Sequence, residues 1–335
     1  MKVELSPAYH LSYSLCNSNP ALISGWQFPE LHAYLSPFLR KLSVLSNITI
    51  DSQVVHYTNL DHPPRLDATN YYIPRDQLPY FINSNSWNLD FVADTWPVLN
   101  FVVFVPREEH TPLYLKTLNN SLSLSNGWIV PQWGGLVIWN PSEGRQEKLI
   151  RLDDMKNTLG AFVEMTRQLF GITDSDARAA TISSKLHKIF GEKAFELEML
   201  KSSSGITDWE LDQLVIENLL EFQMKTRKTL LQFVDLINNF PVIPIRDKIA
   251  QMLDNTLHNF KMSYKEGQLK FLSLVHAREA FAEAEETFFD SEMMAIIYFP
   301  DEHKIAIYLP LFLPLLFPLV GALWKEIKKY RQKKA

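Results

Sequence analysis

The sequence predicts an α/β protein with a sheet and flanking helices in its first half, long helices in its second half, and one C-terminal transmembrane helix. Three observations predict this class. Short apolar runs bounded by prolines or glycines, such as Val98–Val105, fall within residues 1–150. Apolar residues at helical spacing dominate residues 151–300. Finally, residues 305–324 form a run of 20 residues without one charge.

The strand signals lie in the first half. Val98–Val105 is almost continuously apolar, so we expect this strand to be buried on both faces. Residues 28–45 carry apolar side chains at helical spacing and predict a helix, whereas residues 67–90 are expected to be a loop with short pieces of structure. Alternating or apolar runs predict further strands over residues 9–15, 48–57, 113–118, 127–130 and 134–139.

The second half is predicted to be helical. Ser202, Ser203, Ser204 and Gly205 form a linker, and a long helix is expected to follow it. Thr207 and Glu210 have the spacing of a capping box, in which each side chain satisfies a free backbone N–H of the first turn. Gly171 ends the first predicted helix, and Pro241 and Pro244 end the long helix and start the next one. The predicted helices cover residues 155–169, 177–190, 207–240, 244 to about 260, and 265–289.

Residues 305–324 are predicted to cross a membrane. A helix of this length spans about 30 Å, which is the thickness of the hydrocarbon core. Tyr308 and Trp324 lie near its two ends, where aromatic rings favour the headgroup level. The alternative is a buried core helix. It is the poorer interpretation, because the run has no charge and basic residues follow it directly. The basic residues that follow are Lys325, Lys328, Lys329, Arg331, Lys333 and Lys334.

This basic cluster predicts the topology, because Lys and Arg stay on the cytoplasmic side. We therefore expect residues 1–300 to form a lumenal or external α/β domain, sheet-rich over 1–150 and helical over 151–300. Residues 301–324 would form the transmembrane helix with its lumenal juncture, and residues 325–335 a basic cytoplasmic tail.

Three prolines interrupt the apolar run at intervals of four, so Pro310, Pro314 and Pro318 share one face of the helix, here called the proline stripe. Each proline lacks the N–H that would bond the carbonyl four residues earlier. Such freed carbonyls need a neighbouring helix or trapped water in hydrocarbon. The stripe is either a face packed on other membrane proteins or part of a bent, solitary anchor.

Charge and cysteine content exclude some classes of function. The formal charge is −5, and the tail from Lys325 contributes six bases and one acid, so the remainder carries 27 bases and 37 acids. Such an acidic domain argues against a nucleic-acid partner, which requires clustered Lys and Arg. The single cysteine, Cys16, excludes an intramolecular disulfide.

The N-terminal 20 residues contain no apolar run long enough for a signal peptide. We therefore expect either tail-first insertion or an upstream span outside this sequence. Two N-glycosylation sequons, at Asn47 and Asn119, agree with a lumenal domain, whereas the triplet at Asn140 is barred by its proline.

Residues able to carry chemistry are few. None of the nine histidines has metal-ligand spacing, and no nucleophile elbow, phosphate loop or dinucleotide fingerprint is present. We therefore predict no cofactor and no metal. Cys16 and His110 are the candidate catalytic residues of an unrecognised hydrolase. The plainer interpretation of Cys16 is a buried thiol, and that of His110 is a residue in a solvated polar run. A tail-anchored binding protein is a further alternative.

Several segments, taken together, resemble the family of class S proteins of phosphatidylinositol-glycan biosynthesis, which are subunits of GPI transamidase. The juncture at residues 299–314 is the most specific, and the resemblance runs from about Ser6 to the C-terminus. The sequon at Asn47 also resembles one that relatives place there. The other matching segments, in order, are residues 96–101, 105–106, 112–114, 133–135, 169–172 and 209–212.

The resemblance implies a non-catalytic subunit of an endoplasmic-reticulum complex. That complex cleaves a C-terminal signal from a proprotein and transfers the new carboxyl end to a GPI lipid. The resemblance places the nucleophilic cysteine in the class K subunit, and it implies the class T protein, the class U protein and GPI attachment protein 1 as further partners, with membrane lipid around the helix. Family members are longer and begin with another membrane span, which would explain the missing targeting signal.

Overall fold

The computed structural model of the protein describes most of the chain, in which two compact units are present. The first unit consists of Met1–Phe222 and Glu266–Arg278, and the second of Gln223–Lys265 and Glu279–Ala335. The described residues are 2–60, 62–67, 70–74, 77–78, 89, 96–116, 121–123, 125–142, 144–172, 175–191, 202–239, 247–290 and 301–334.

A five-stranded sheet organises the first unit. Its order is β3-β1-β6-β9-β8, with the first four strands parallel and β8 antiparallel at one edge. The predicted strands at residues 9–15, 48–57, 98–105, 127–130 and 134–139 are all present in it. Its strands are β1 (Ala8–Asn17), β3 (Asn47–His56), β6 (Val98–Val105), β8 (Gly127–Val130) and β9 (Gly134–Ile138).

The strand order changes direction at β1, because the next strands along the chain are added on opposite sides of it. After β1 the chain passes through helix α1 (Phe28–Leu42) to β3 on one side, and later returns to β6 on the other side of β1. The carboxyl ends of β1 and β6 therefore flank a topological switch point, the place where open α/β sheets leave a crevice.

The central strands are buried on both faces, as the apolar run of β6 predicts. On one face Tyr13 stacks on Phe101 with ring centroids 5.3 Å apart, and Phe162 packs edge-on against Phe101 at 5.4 Å. On the other face Cys16, Val102, Phe104, Leu136 and Ile138 form a cluster with residues of a smaller sheet. Gly134 permits this packing, since a Cβ there would collide with the backbone of Asn100.

Two smaller sheets complete the β-structure of the described residues. The strand predicted at residues 113–118 covers only Leu113–Leu115, and it pairs with the strand Asn70–Ile73 and not with the main sheet. Leu113 and Leu115 instead bury their side chains against the main sheet. The sheets have the orders β4-β5-β7 and β10-β2, with β2 (Gly25–Trp26), β4 (Arg65–Asp67), β5 (Asn70–Ile73), β7 (Leu113–Leu115) and β10 (Leu149–Ile150).

The helices follow the predicted order. Helix α2 ends where Gly171 adopts a φ of 79°, a left-handed conformation that favours glycine at a helix end. Pro241, Pro244 and residues 298–300 lie outside the described residues, so the breaks expected there stay predictions. The helices are α2 (Leu152–Leu169), α3 (Ser175–Phe190), α4 (Asp208–Asn239), α5 (Asp247–Ser263), α6 (Lys270–Phe288) and α7 (Asp301–Lys334).

The second unit is made of the later part of α4, α5, the end of α6 and α7. Phe233 and Ile249 form its small buried apolar cluster. Polar side chains join the same helices, since Gln223 donates to the Ser263 carbonyl at 3.2 Å and Thr229 donates to Glu285 at 2.8 Å. Hydrogen-bonded polar groups therefore supplement a modest apolar core.

Candidate membrane and assembly surfaces

Helix α7 has the length and surface of a membrane span. Its apolar stretch, Ala306–Tyr330, has a mean hydropathy of 2.1 over its most apolar window, and none of that window is buried. A core helix of a soluble protein would be covered by other elements, so the exposure of α7 argues against that alternative. The helix also continues to Lys334, through the region predicted as a basic tail.

The proline stripe lies inside this continuous helix. Pro310, Pro314 and Pro318 are each exposed, and helical structure persists on both sides of all three. Neighbouring apolar side chains are also uncovered, with Leu311 at 68% and Leu315 at 67% exposure. The stripe is therefore available to lipid or to another helix, and its role as a packing face stays a prediction.

The first sequon lies at the start of β3. The side chain of Asn47 is exposed, while its backbone N–H donates to the Pro7 carbonyl at 3.0 Å. The sequon's third residue, Thr49, also has an exposed side chain, whose hydroxyl lies 2.7 Å from Nδ1 of His10. An oligosaccharide on Asn47 would meet solvent. The second sequon asparagine, Asn119, lies outside the described residues.

The lone cysteine is in a position that disfavours nucleophilic chemistry. Cys16 lies near the end of β1 with no exposed surface. Burial raises the pKa of its thiol to about 12, so the thiol stays protonated at neutral pH. The thiolate is the nucleophilic form of cysteine, so this side chain resembles a buried apolar residue.

A cleft of about 240 Å³ opens at the switch point between the carboxyl ends of β1 and β6. Ser18, Asn59, Arg107 and His110 supply its polar lining, with prolines and leucine around them. Arg107 donates to Asn59 Oδ1 at 2.7 Å through Nη2 and at 3.1 Å through Nε. The Ser18 hydroxyl donates to the Thr58 carbonyl at 2.6 Å, so its proton faces a carbonyl and not a base. The lining has the chemistry of a binding recess.

Helix α4 exposes apolar side chains along the face opposite to its buried one. In the first unit these are Trp209, Ile216 and Leu220, with 48%, 47% and 54% exposure. In the second unit the same helix exposes Met224 and Leu231, at 65% and 54%. The intervals of seven and four residues place the three first-unit residues on one side of a helix. We call Trp209, Ile216 and Leu220 the α4 stripe.

The predicted capping box holds the start of α4, and a buried ion pair reinforces it. Thr207 N–H donates to Glu210 at 2.8 Å, and Glu210 N–H donates to the Thr207 hydroxyl at 3.2 Å. Arg167 on α2 also donates to Glu210 at 2.8 Å. Burial alone would raise the pKa of Glu210, but the hydrogen bonds from Arg167 and Thr207 outweigh it and hold that pKa below its usual range.

Sequence reasoning missed both the α4 stripe and the switch-point cleft. The stripe had a readable signal, because Ile216 and Leu220 repeat at helical spacing beside the face that was identified. The cleft had none, because Asn59 and Arg107 are 48 residues apart and meet only through the strand order. Among the described residues, no group of three or more His, Cys, Asp and Glu side chains is placed to hold a metal ion.

Comparison with known proteins identifies relatives along the whole sequence. Residues 1–333 match the family model described as phosphatidylinositol-glycan biosynthesis class S protein. The chain is 31% identical over 331 residues to the GPI-anchor transamidase component PIGS of Bos taurus, covering 96% of this chain and 57% of that protein. The Homo sapiens protein of the same description is 29% identical, and the alignment again covers 96% of this chain and 57% of that protein. The GPI transamidase component PIG-S homolog of Schizosaccharomyces pombe is 25% identical, and the alignment covers 97% of this chain and 55% of that protein. The chain thus spans a little over half the length of these relatives.

Proposed function

We propose, because this chain belongs to the phosphatidylinositol-glycan biosynthesis class S family, that it is a non-catalytic structural subunit of GPI transamidase. The observation that carries the proposal is the match over residues 1–333, with relatives described as components of that transamidase. In this role the chain supports the attachment of GPI anchors to proprotein C-termini in the endoplasmic reticulum.

The chemistry of the described residues supports a structural role. Cys16 is buried and protonated, and the Ser18 hydroxyl in the switch-point cleft donates a hydrogen bond to the Thr58 carbonyl. Nucleophilic catalysis needs an accessible nucleophile with a base in hydrogen-bond reach. The resemblance to the family implies that the catalytic cysteine belongs to the class K subunit. The class T and class U proteins and GPI attachment protein 1 are the other expected partners.

The proposed topology places the bulk of the chain in the lumen and the C-terminus in the cytoplasm. The basic residues after Trp324 support this orientation, since such clusters stay on the cytoplasmic side. In this arrangement α7 anchors the chain, the proline stripe packs on membrane helices of other subunits, and the α4 stripe meets another subunit in the lumen. Asn47 and Asn119 would carry N-linked glycans.

The topology is tested by glycosylation and protease protection. The chain is expressed behind a cleavable signal sequence with an epitope on its C-terminus, and microsomes are treated with endoglycosidase H or protease. We expect a mobility shift that Asn47→Gln reduces and that Asn47→Gln with Asn119→Gln abolishes, together with loss of the epitope to protease. An unglycosylated chain with a protected epitope would reverse the orientation.

The non-catalytic assignment is tested in cells that lack their own class S component. Cys16→Ala and His110→Ala are expressed in the chain, and surface display of a GPI-anchored reporter is compared with that given by the unmodified chain. We expect both variants to match it within twofold, because neither side chain takes part in chemistry. A large loss of display with the complex still assembled would move catalysis to this subunit.

A further inference from the structure

Three polar residues lie side by side across the main sheet of the first unit. Ser12 on β1 is in register with Asp51 on β3 and with Asn100 on β6, and Asn100 is in turn in register with Gly134 on β9. Residues in register on neighbouring strands point to the same face of a sheet. We call Asp51, Ser12 and Asn100 the oxygen row.

Each member of the oxygen row has a buried oxygen without a hydrogen-bond partner among the described residues. The atoms are Asp51 Oδ1, Ser12 Oγ and Asn100 Oδ1. Ser12 and Asn100 are only 3% and 2% exposed. A single unsatisfied buried group is costly in a folded protein, and three adjacent ones indicate a common occupant.

The other oxygen of the carboxylate is already engaged. Asp51 Oδ2 lies 2.8 Å from Nε2 of His10, and Nδ1 of the same ring lies 2.7 Å from the Thr49 hydroxyl. Both ring nitrogens therefore have partners, and the imidazole is oriented by two contacts. This arrangement fixes the carboxylate, while Oδ1 remains available to a ligand.

The chemistry of the row selects a hard cation. A carboxylate oxygen, a hydroxyl and an amide carbonyl are the ligand types that calcium takes in proteins, and calcium tolerates irregular coordination completed by water. Carboxylate and carbonyl oxygens would repel an anion, and the row has no thiolate or unoccupied imidazole for a softer metal. Neighbouring strands lie about 4.8 Å apart, so the longer side chains of Asp51 and Asn100 can reach toward the short Ser12 between them.

We propose that the oxygen row binds one calcium ion, through Asp51 Oδ1, Ser12 Oγ and Asn100 Oδ1, with water in the remaining positions. The row ends at β3, the outermost described strand of the sheet, where the Asp51 side chain is 35% exposed. With only one carboxylate, the dissociation constant should be about 10⁻⁴ to 10⁻³ M.

Calcium binding is measured on the full chain in detergent after removal of metal with a chelator. Isothermal titration gives stoichiometry and affinity, and thermal unfolding with and without calcium gives an independent readout. We expect one ion per chain and a rise in Tm. Asp51→Asn keeps the shape and removes the charge, so binding should fall at least tenfold. The matched control is Asp153→Asn, an exposed carboxylate paired with Lys156, which should change nothing.

A gain-of-affinity variant separates a cation from a water molecule in the row. Asn100→Asp adds a second carboxylate, so we expect affinity to rise roughly tenfold and the Tm to become strongly calcium-dependent. If water alone occupies the row, the unmodified chain and Asn100→Asp will show the same Tm with calcium and with chelator. That result, or equal binding by Asp51→Asn, would overturn the proposal. A response to sodium or potassium without one to calcium would overturn the assignment of the ion.

Discussion

Glu210 makes several interactions through one side chain. Its carboxylate accepts hydrogen bonds from Arg167 and from the Thr207 backbone, and its side chain is 6% exposed. It therefore joins the end of α2 to the start of α4 within the first unit. Arg145 and Asp154 make a comparable pair at 2.7 and 2.8 Å, and the hydrogen bond from Arg145 holds the pKa of Asp154 below its usual range.

Replacing Glu210 with Gln should lower the free energy of unfolding by about 2 kcal/mol, because Arg167 loses its charged partner in a buried site. Thermal unfolding of the chain in detergent, followed by tryptophan fluorescence, measures the loss. Glu217→Gln is the matched control on the same helix. Its side chain is exposed, so the change should stay within about 0.5 kcal/mol. Equal effects of the two substitutions would contradict this role for Glu210.

Acid should weaken the same interaction. Hydrogen bonds hold the pKa of Glu210 below its usual 4.5 in the folded chain, so the unfolded chain binds the proton first as pH falls. The stabilisation is complete above the unfolded pKa and is lost as pH falls through the folded pKa. We expect Tm between pH 6 and 3 to fall less steeply in Glu210→Gln than in the unmodified chain. Parallel curves would show that Glu210 has the same pKa in both states.

At the scale of elements, the two surfaces proposed to contact other subunits are both helical. The proline stripe of α7 gives up backbone hydrogen bonds in a region where water cannot replace them, at several kcal/mol for each unmet group. The α4 stripe exposes large apolar side chains along a helix whose other side is fully used in packing. Each feature is unfavourable for an isolated chain and reasonable for a subunit.

Replacing Pro310, Pro314 and Pro318 together with leucine should give a better anchor and a worse subunit. The variant restores the missing N–H groups, so it should insert and be glycosylated normally, yet recover fewer partners in mild detergent. The control changes Leu311, Leu315 and Leu319 to isoleucine, since these positions flank the stripe. Unchanged partner recovery by the triple-proline variant would leave α7 as a plain anchor.

Charges on the α4 stripe should also disrupt assembly. Ile216→Asp with Leu220→Asp places two carboxylates on the exposed face, where they cost the isolated chain little and an apolar interface a great deal. We expect at least roughly tenfold lower recovery of partner subunits with unchanged Tm. Asp212→Ala with Glu217→Ala, at exposed polar positions of the same helix, is the control. Normal recovery with the charged variant would show that this face stays in solvent.

Across the whole molecule, local sequence patterns predicted the helices and strands. Pairing between distant segments determined which sheet each strand joins and which side chains lie side by side. Residues 98–105 and 208–239 were identifiable because an apolar run and a capping box are local signals. The strand at Leu113–Leu115 joined another sheet because pairing depends on partners distant in sequence. The oxygen row needs the register of three strands, which no spacing along the chain encodes.

The proposed function also belongs to the whole molecule, because no single residue carries it. A helix long and apolar enough to cross a membrane, an exposed helical face and a five-stranded sheet together suit the proposed scaffold subunit. The family match covers residues 1–333 and so includes all three. Assembly with other subunits is therefore the property that an experiment should measure directly.

That measurement is purification of the epitope-tagged chain from microsomes in mild detergent, with mass spectrometry of the proteins that accompany it. We expect recovery of the class K, class T and class U proteins and GPI attachment protein 1 in comparable amounts. An unrelated single-span protein with the same tag, expressed at the same level, controls for detergent carry-over. A chain that is inserted and glycosylated yet recovers none of these subunits above that control would show that it is not a subunit of this complex.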